Sequence, residues 1–206
     1  MIFEEFDPEV HDLHQVAELV FDVDLRILRR VFKSKDNAVS AIEKKLMAEY
    51  SFLENSPDFD LYVIFNKEDS SKLLGIILVS RGKNINFTKE VLFLFKKLDF
   101  MTAVRFAMVK YIYKRTLSKV NEDDLYLAEI ATKTSERCKG VGRAIIQHVL
   151  KRAKELGFKR VVLDVDLKNK KALKLYESLG FKVFDKKKFQ YGSHMKKTYN
   201  MEYTIK

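Results

Sequence analysis

The chain reads as an α+β fold with a helical insertion between its third and fourth strands. Three observations lead there. Apolar runs of strand length alternate with stretches whose apolar residues recur at helical spacing. Two strand-like runs, Leu61 to Phe65 and Leu73 to Val79, follow one another across the polar stretch Asn66 to Lys72, as the arms of a hairpin do. The segment from Lys83 to Lys139 has neither Gly nor Pro and carries a helical stripe: Leu94, Leu98, Met101, Val104, Met108, Tyr111 and Ile112.

Each element follows from local chemistry. Ile2 to Phe6 suits a short first strand. Asp7-Pro8 is expected to open a helix, with Asp as its cap and Pro at its first position. That helix runs through Val10, Leu13, Val16, Val20 and Leu25, then past a break to Leu28 and Val31. Asn37 or Ser40 would cap the next helix, through Ala41, Leu46 and Tyr50. One or two helices fall between Thr88 and Leu117, and the polar turn Asn121 to Asp124 precedes a strand, Leu125 to Thr132. Val141 to Leu156 is a helix stopped by Gly157, Val161 to Asp166 a strand, and Asn169 to Leu179 a helix with Gly180 just past its end. Phe181 to Phe184 and Thr198 to Ile205 complete the sheet. Without a repeat or long linker, residues 1–206 read as one domain, with about 84–120 as the insertion.

Composition narrows the class. Hydrophobic residues make up 47% and aromatics 12%, the profile of an ordinary globular chain. The apolar runs fall well short of the roughly 20 residues of a membrane span, and the acidic N-terminus has no cationic leader region. A single Cys excludes an internal disulfide and fits a reducing compartment, here the cytoplasm. His11 and His14 have no further His or Cys nearby, so no metal site is expected. The net charge of +10 attracts anions, yet no helix-turn-helix, RNA-recognition or zinc signature accompanies it, so no nucleic-acid partner is expected. The charge is also uneven. Met1 to Leu25 holds no Lys or Arg but contains Glu4, Glu5, Asp7, Glu9, Asp12, Glu18, Asp22 and Asp24.

The most informative stretch is Arg137-Cys138-Lys139-Gly140-Val141-Gly142-Arg143-Ala144, where a strand hands over to a helix. Glycines free the backbone to approach an anion, and a helix start leaves its N–H groups unpaired beside Arg137, Lys139 and Arg143. A Walker loop would require GK[ST], and Gly142 is followed by Arg143 and Ala144. A dinucleotide fingerprint would require a third glycine where Ile145 stands.

Arg137-x-x-Gly140-x-Gly142 resembles the Q/R-x-x-G-x-G/A signature of the GNAT superfamily of acyltransferases. Glu129-Ile130-Ala131-Thr132 looks like that family's fourth strand. Asn169, Ala172, Leu175-Tyr176-Glu177 and Leu179-Gly180-Phe181 look like its N-x-x-A-x-x-L-Y-x-x-x-G-F motif. The likeness covers about Leu125 to Phe184. It implies a mixed, mostly antiparallel central sheet flanked by helices, and acetyl-CoA as acyl donor. The loop Arg137 to Ala144, Cys138 and Val141 included, would hold the pyrophosphate. Ile130, Ala131 and Thr132 would pair with the pantetheine arm, and Asn169 and Ala172 would lie beside the donor. Tyr176 would protonate the leaving sulfur. Glu129, on the strand bordering the acyl group, is the candidate base for the amine. The acidic N-terminal segment would favour a cationic amine acceptor. The insertion packs on the core, covers the cleft or makes a homodimer interface. A non-catalytic acyl-CoA sensor on the same fold is the alternative reading.

Overall fold

A computed structural model describes residues 1–23, 25–53, 59–69, 71–81, 87–137, 139–192 and 194–205. The elements, in chain order, are β1 (Ile2–Glu5), α1 (Leu13–Val23), α2 (Leu25–Phe32), α3 (Lys35–Leu53), β2 (Phe59–Phe65) and β3 (Leu73–Arg81). There follow α4 (Phe87–Lys97), α5 (Phe100–Lys114), β4 (Asp124–Thr132), α6 (Val141–Glu155), β5 (Arg160–Asp166), α7 (Lys170–Ser178), β6 (Lys182–Tyr191) and β7 (His194–Thr204). Seven strands form one sheet in the order β1-β2-β3-β4-β5-β7-β6. Every neighbouring pair is antiparallel except β4 and β5. This is the expected α+β architecture, with α4 and α5 as the insertion between the third and fourth strands.

Alternation along the strands sends apolar side chains to both faces. On one face Val63, Ile76 and Ala131 join Val16, Phe21, Phe32, Ile42, Leu94 and Phe106 beneath α1 to α5. On the other, Ile64, Ile77, Leu125, Leu127, Val161, Leu163 and Met201 join Ile145, Ile146, Val149 and Leu173 beneath α6 and α7. A sheet covered on both sides explains why β5 reads Val161-Val162-Leu163 without interruption.

Several boundaries differ from the sequence expectation. Asp7-Pro8 closes a turn, with Val10 N and His11 N both donating to the Asp7 carbonyl. The first helix opens five residues later than expected, at Leu13, where Asp12 Oδ1 accepts from Gln15 N. Ser34, not Asn37 or Ser40, opens α3: its hydroxyl accepts from Asn37 N. The insertion is two helices, the second capped by Asp99 on Thr102 N. β6 and β7 run well beyond the short pieces expected, as a long hairpin edging the sheet.

Candidate active site

The site grows from the one parallel pair among the described residues. β4 and β5 are in register from Asp124↔Arg160 to Leu127↔Leu163 and no further. Beyond that point β4 continues beside β3 to Gly75↔Thr132, and β5 continues beside β7 to Asp166↔Thr198. The register on β4 shifts between Leu127 and Glu129, so Ala128 is the extra residue of a bulge where the two strands part. The β4 edge from Ala128 to Thr132 therefore faces β5 without ladder partners, and Ile130, Ala131 and Thr132 lie on it.

The closed end of the splay is clamped by charge. Arg160 meets Asp124 through two bonds, Nε to Oδ1 at 2.7 Å and Nη2 to Oδ2 at 2.8 Å, and its Nη1 reaches Glu202 on β7. Hydrogen bonding to Asp124 holds the guanidinium still further above its ordinary range. Asp124, the last residue of the expected polar turn, is 2% exposed. At the crotch, Asp164 on β5 accepts from the Tyr126 hydroxyl at 2.7 Å, from Ser118 N at 3.0 Å, from Ser118 Oγ at 2.6 Å, and from Asn200 Nδ2. Burial pushes the Tyr126 hydroxyl well above the usual phenol range, and Asp164 adds to that.

At the open end, Gly140 caps α6 in the left-handed conformation, φ 86°, with no side-chain cap. A Cβ there would meet nothing within 4 Å, so Gly140 is required for its backbone angle and not for space. Among the described residues, Val141 N, Gly142 N and Arg143 N have no hydrogen-bond partner; the first ladder bond of α6 is Ala144 N to Gly140 O at 3.0 Å. Gly142 differs from Gly140. A Cβ on it would lie 3.4 Å from Leu175 Cδ2 and 3.9 Å from Thr132 Cγ2, ordinary contact distances in the space between loop, strand and α7.

The loop cations are less free than the sequence implies. Arg137 Nη2 meets Asp22 of α1 at 3.0 Å and its Nε reaches the Thr132 carbonyl at 3.4 Å. Arg143 donates to Ser178 Oγ at 2.7 Å, and Lys139 lies 3.6 Å from Glu136. Glu136, a buried carboxylate that no local pattern in the sequence marks, also pairs with Lys72 at 3.0 Å, which holds it below the usual carboxylate range. All three loop cations are exposed, so their guanidinium and ammonium groups can reach a polyphosphate by exchanging these partners. Cys138 lies outside the described residues.

The second motif resolves into helix chemistry. Asn169 caps α7, its Oδ1 accepting from Ala172 N at 3.2 Å, a structural use of the side chain expected beside the donor. At the other end Phe181 N donates to Tyr176 O and Gly180 N to Glu177 O, both at 3.0 Å, with Gly180 at φ 95°. That is a Schellman motif. Its apolar contact is Phe181 on Tyr176, ring centroids 5.8 Å apart. The Gly-Phe of the sequence motif thus fixes the Tyr176 ring. Tyr176 is 5% exposed, burial pushes its hydroxyl up to about 12, and that hydroxyl has no protein hydrogen bond among the described residues.

Glu129 is half-buried on the α1–α5 face, two positions beyond the last β4–β5 pair. It stands in the field of Lys45 on α3. Burial works against the Lys45 ammonium, but Glu49, Glu129 and Glu90 outweigh it and raise its pKa. Several of the acidic N-terminal carboxylates are already engaged. Glu4 meets His11, Glu18 meets Lys35, Asp22 meets Arg137 and Asp12 caps α1. No helix among the described residues is long and apolar enough to cross a membrane.

The geometry is thus a splayed parallel pair with an open strand edge, leading into a glycine-opened helix. The chain belongs to the acetyltransferase (GNAT) family, whose sequence model matches residues 35–181. It is similar to N-alpha-acetyltransferase 30 of Xenopus laevis, 41% identical over 66 residues. That match covers 32% of this chain and 24% of the relative, so the chain matches only about a quarter of the relative's length. In fold it is similar to a mutant of the spermidine N-acetyltransferase SpeG of Vibrio cholerae, with a TM-score of 0.63 and 14% identity over 100% of this chain and 95% of that one. It is also similar to an acetyltransferase of Bacillus subtilis solved in complex with CoA, with a TM-score of 0.53 and 13% identity over 99% and 98% of the two chains.

Proposed function

We propose that this chain is an N-acetyltransferase that moves an acetyl group from acetyl-CoA directly to a primary amine within a ternary complex, in the cytoplasm. One observation carries the reading: among the described residues, the start of α6, with no side-chain cap, follows a β4 edge left open within the sheet. The donor supplies an activated thioester. The unpaired N–H groups of Val141, Gly142 and Arg143, with the helix dipole, would receive its pyrophosphate. Arg137, Lys139 and Arg143 would exchange their exposed partners for phosphate oxygens. The edge of Ile130, Ala131 and Thr132 would offer main-chain groups to the pantetheine amides. Ala172 keeps the first turn of α7 slim beside it.

Transfer then needs a base for the incoming ammonium and an acid for the departing sulfur. Glu129 is assigned the first role, on β4 past the point where the strands part. Tyr176 is assigned the second; a hydroxyl at about 12 retains its proton throughout the working pH range. Amine acceptors are supported by the printed functions of similar proteins, an N-alpha-acetyltransferase and a spermidine N-acetyltransferase. A free protein or peptide N-terminus is the first acceptor class to test, and polyamines the second. The experiment is thiol release from acetyl-CoA across a panel of N-terminal peptides, polyamines and aminoglycosides. Amine-dependent release supports the reading. Tight CoA binding with no amine-dependent release would make the chain a sensor of acyl-CoA instead.

A further inference from the structure

The charge asymmetry of the sequence becomes a surface in the fold. From Lys159 to Lys206 the chain carries 13 Lys and Arg against five Asp and Glu. Its centre is the β6–β7 hairpin, where Lys182, Lys186, Lys187, Lys188, Lys196 and Lys197 are opposed by Asp185 and, at the far end, Glu202. Glu202 is already taken by Arg160. Lysines are common on edge strands, where they prevent pairing with other chains, and β6 is such an edge. That account does not extend to Lys196 and Lys197, because β7 is an interior strand between β5 and β6. Nor does it explain why Lys188 and Lys197 stand directly opposite each other, a cross-strand arrangement of like charges that destabilises a sheet.

Most of these lysines also lack anionic partners. Among the described residues, Lys168, Lys182, Lys186, Lys188 and Lys197 have no carboxylate within 4.0 Å. Lys187 turns aside to the Leu117 carbonyl. Lys186 lies over the Tyr199 ring at 5.1 Å, and Lys188 follows it two residues on, about 7 Å further along the same face. The backbone bond from Leu167 N to Lys197 O brings the loop bearing Lys168 against this hairpin. The result is a row of unneutralised ammonium groups on a paired hairpin.

We propose that this hairpin is a docking surface for the phosphate backbone of a nucleic acid, read without base specificity. Compact ammonium groups in a row match a line of phosphates, and repulsion between Lys188 and Lys197 is relieved when phosphates lie between them. The sequence holds no base-reading motif, which is why its motifs alone point to no such partner; binding is governed instead by counterion release. This inference is independent of the acetyl-transfer reading.

The test is fluorescence-anisotropy titration of a labelled poly(U) 20-mer, and of a labelled poly-glutamate peptide, from about 0.05 to 0.3 M salt. The native chain should bind poly(U), with affinity falling steeply with salt. The double variant Lys188→Gln/Lys197→Gln removes two contacts at the surface. It should flatten the log–log salt slope by about 1.4 and weaken binding about tenfold at roughly 0.15 M. Lys151→Gln/Lys154→Gln on α6 changes the net charge equally at an exposed site elsewhere, and should leave poly(U) affinity unchanged. Four outcomes would overturn the proposal: no binding of poly(U) at the lowest salt, equal weakening by both double variants, displacement of poly(U) by saturating CoA, or tighter binding of poly-glutamate than of poly(U).

Discussion

Tyr176→Phe removes one hydroxyl and nothing else, which makes it the sharpest probe of the proposed chemistry. That hydroxyl has no protein hydrogen bond among the described residues, while its ring is held by Phe181 and the Schellman turn. Stability at pH 7 should therefore change by less than about 0.5 kcal/mol. The turnover number should fall at least about 100-fold, the lower range for loss of a general acid, with the KM for acetyl-CoA little changed. A second signature is independent of catalysis. Burial raises the hydroxyl from the ordinary 10 to about 12 in the folded chain. Ionising the buried hydroxyl penalises the fold, so the native chain's stability relative to the variant is flat below pH 10 and falls as pH rises through 12. Two pK units correspond to about 2.7 kcal/mol. Urea midpoints from about pH 8 to 12 should fall less steeply in the variant by that amount, with the residual slope due to Tyr126, which is raised too. Unchanged turnover would refute the catalytic assignment. A loss of about 2 kcal/mol or more at pH 7 would refute the claim that the hydroxyl is structurally unengaged.

Further predictions separate the parts of the site. Gly142→Ala should bind CoA about as the native chain does, since its Cβ meets only van der Waals contacts, whereas Gly142→Glu should abolish binding measured by calorimetry. Gly140→Ala should cost about 1–2 kcal/mol in chemical denaturation, because the left-handed backbone strains any L side chain while the space around it is open. Glu129→Gln should leave CoA affinity intact and shift the optimum for amine transfer to higher pH, where the acceptor arrives already neutral. Asp124→Ala removes two of the bonds made by Arg160 and leaves it only Glu202, and should destabilise the fold by about 1–3 kcal/mol in urea titration.

Much of this was legible because it rests on local rules. Gly140 and Gly180 mark helix boundaries where only a left-handed residue fits, and both are visible as glycines at the ends of apolar-periodic stretches. The first helix was read too early because Asp7-Pro8 carries a strong cap signal; the Asp12 signal, five residues on, had equal chemistry and better periodicity behind it. The burial of Asp124 is not legible in the sequence, because nothing near it announces Arg160, 36 residues away. Glu136 was missed for a similar reason, since Lys72 reaches it from the β2–β3 turn. The partners of the loop cations are likewise not legible, because Asp22 and Ser178 approach them only in the folded chain. Pairings across the fold are invisible to periodicity and capping, and these are the interactions that set the charge state of the site.

A parallel pair that parts after four registered positions is an unstable object unless its two ends are held differently. Were β4 and β5 joined only by their ladder, the split could migrate either way, closing the cleft or unzipping the sheet. The Arg160 clamp stops unzipping at one end with charge-assisted bonds to both β4 and β7. The Tyr126–Asp164 bond pins the crotch from within. Beyond it, closure is prevented by the other neighbours. The Ala128 bulge turns β4 away, and Gly75 lets β3 follow, since a Cβ there would stand 2.4 Å from the Ala131 carbonyl oxygen. The end of β5 is held outward by its continuous pairing with β7 and by the 2.9 Å bridge from Asp166 to Arg26 of α2. Most of these contacts lie outside the glycine loop, yet they determine that an unpaired strand edge leads to the bare start of α6. The loop can receive phosphates on its own; on the proposed chemistry, only the fixed split lets a thioester arm run between a carboxylate on β4 and a protonated tyrosine on α7.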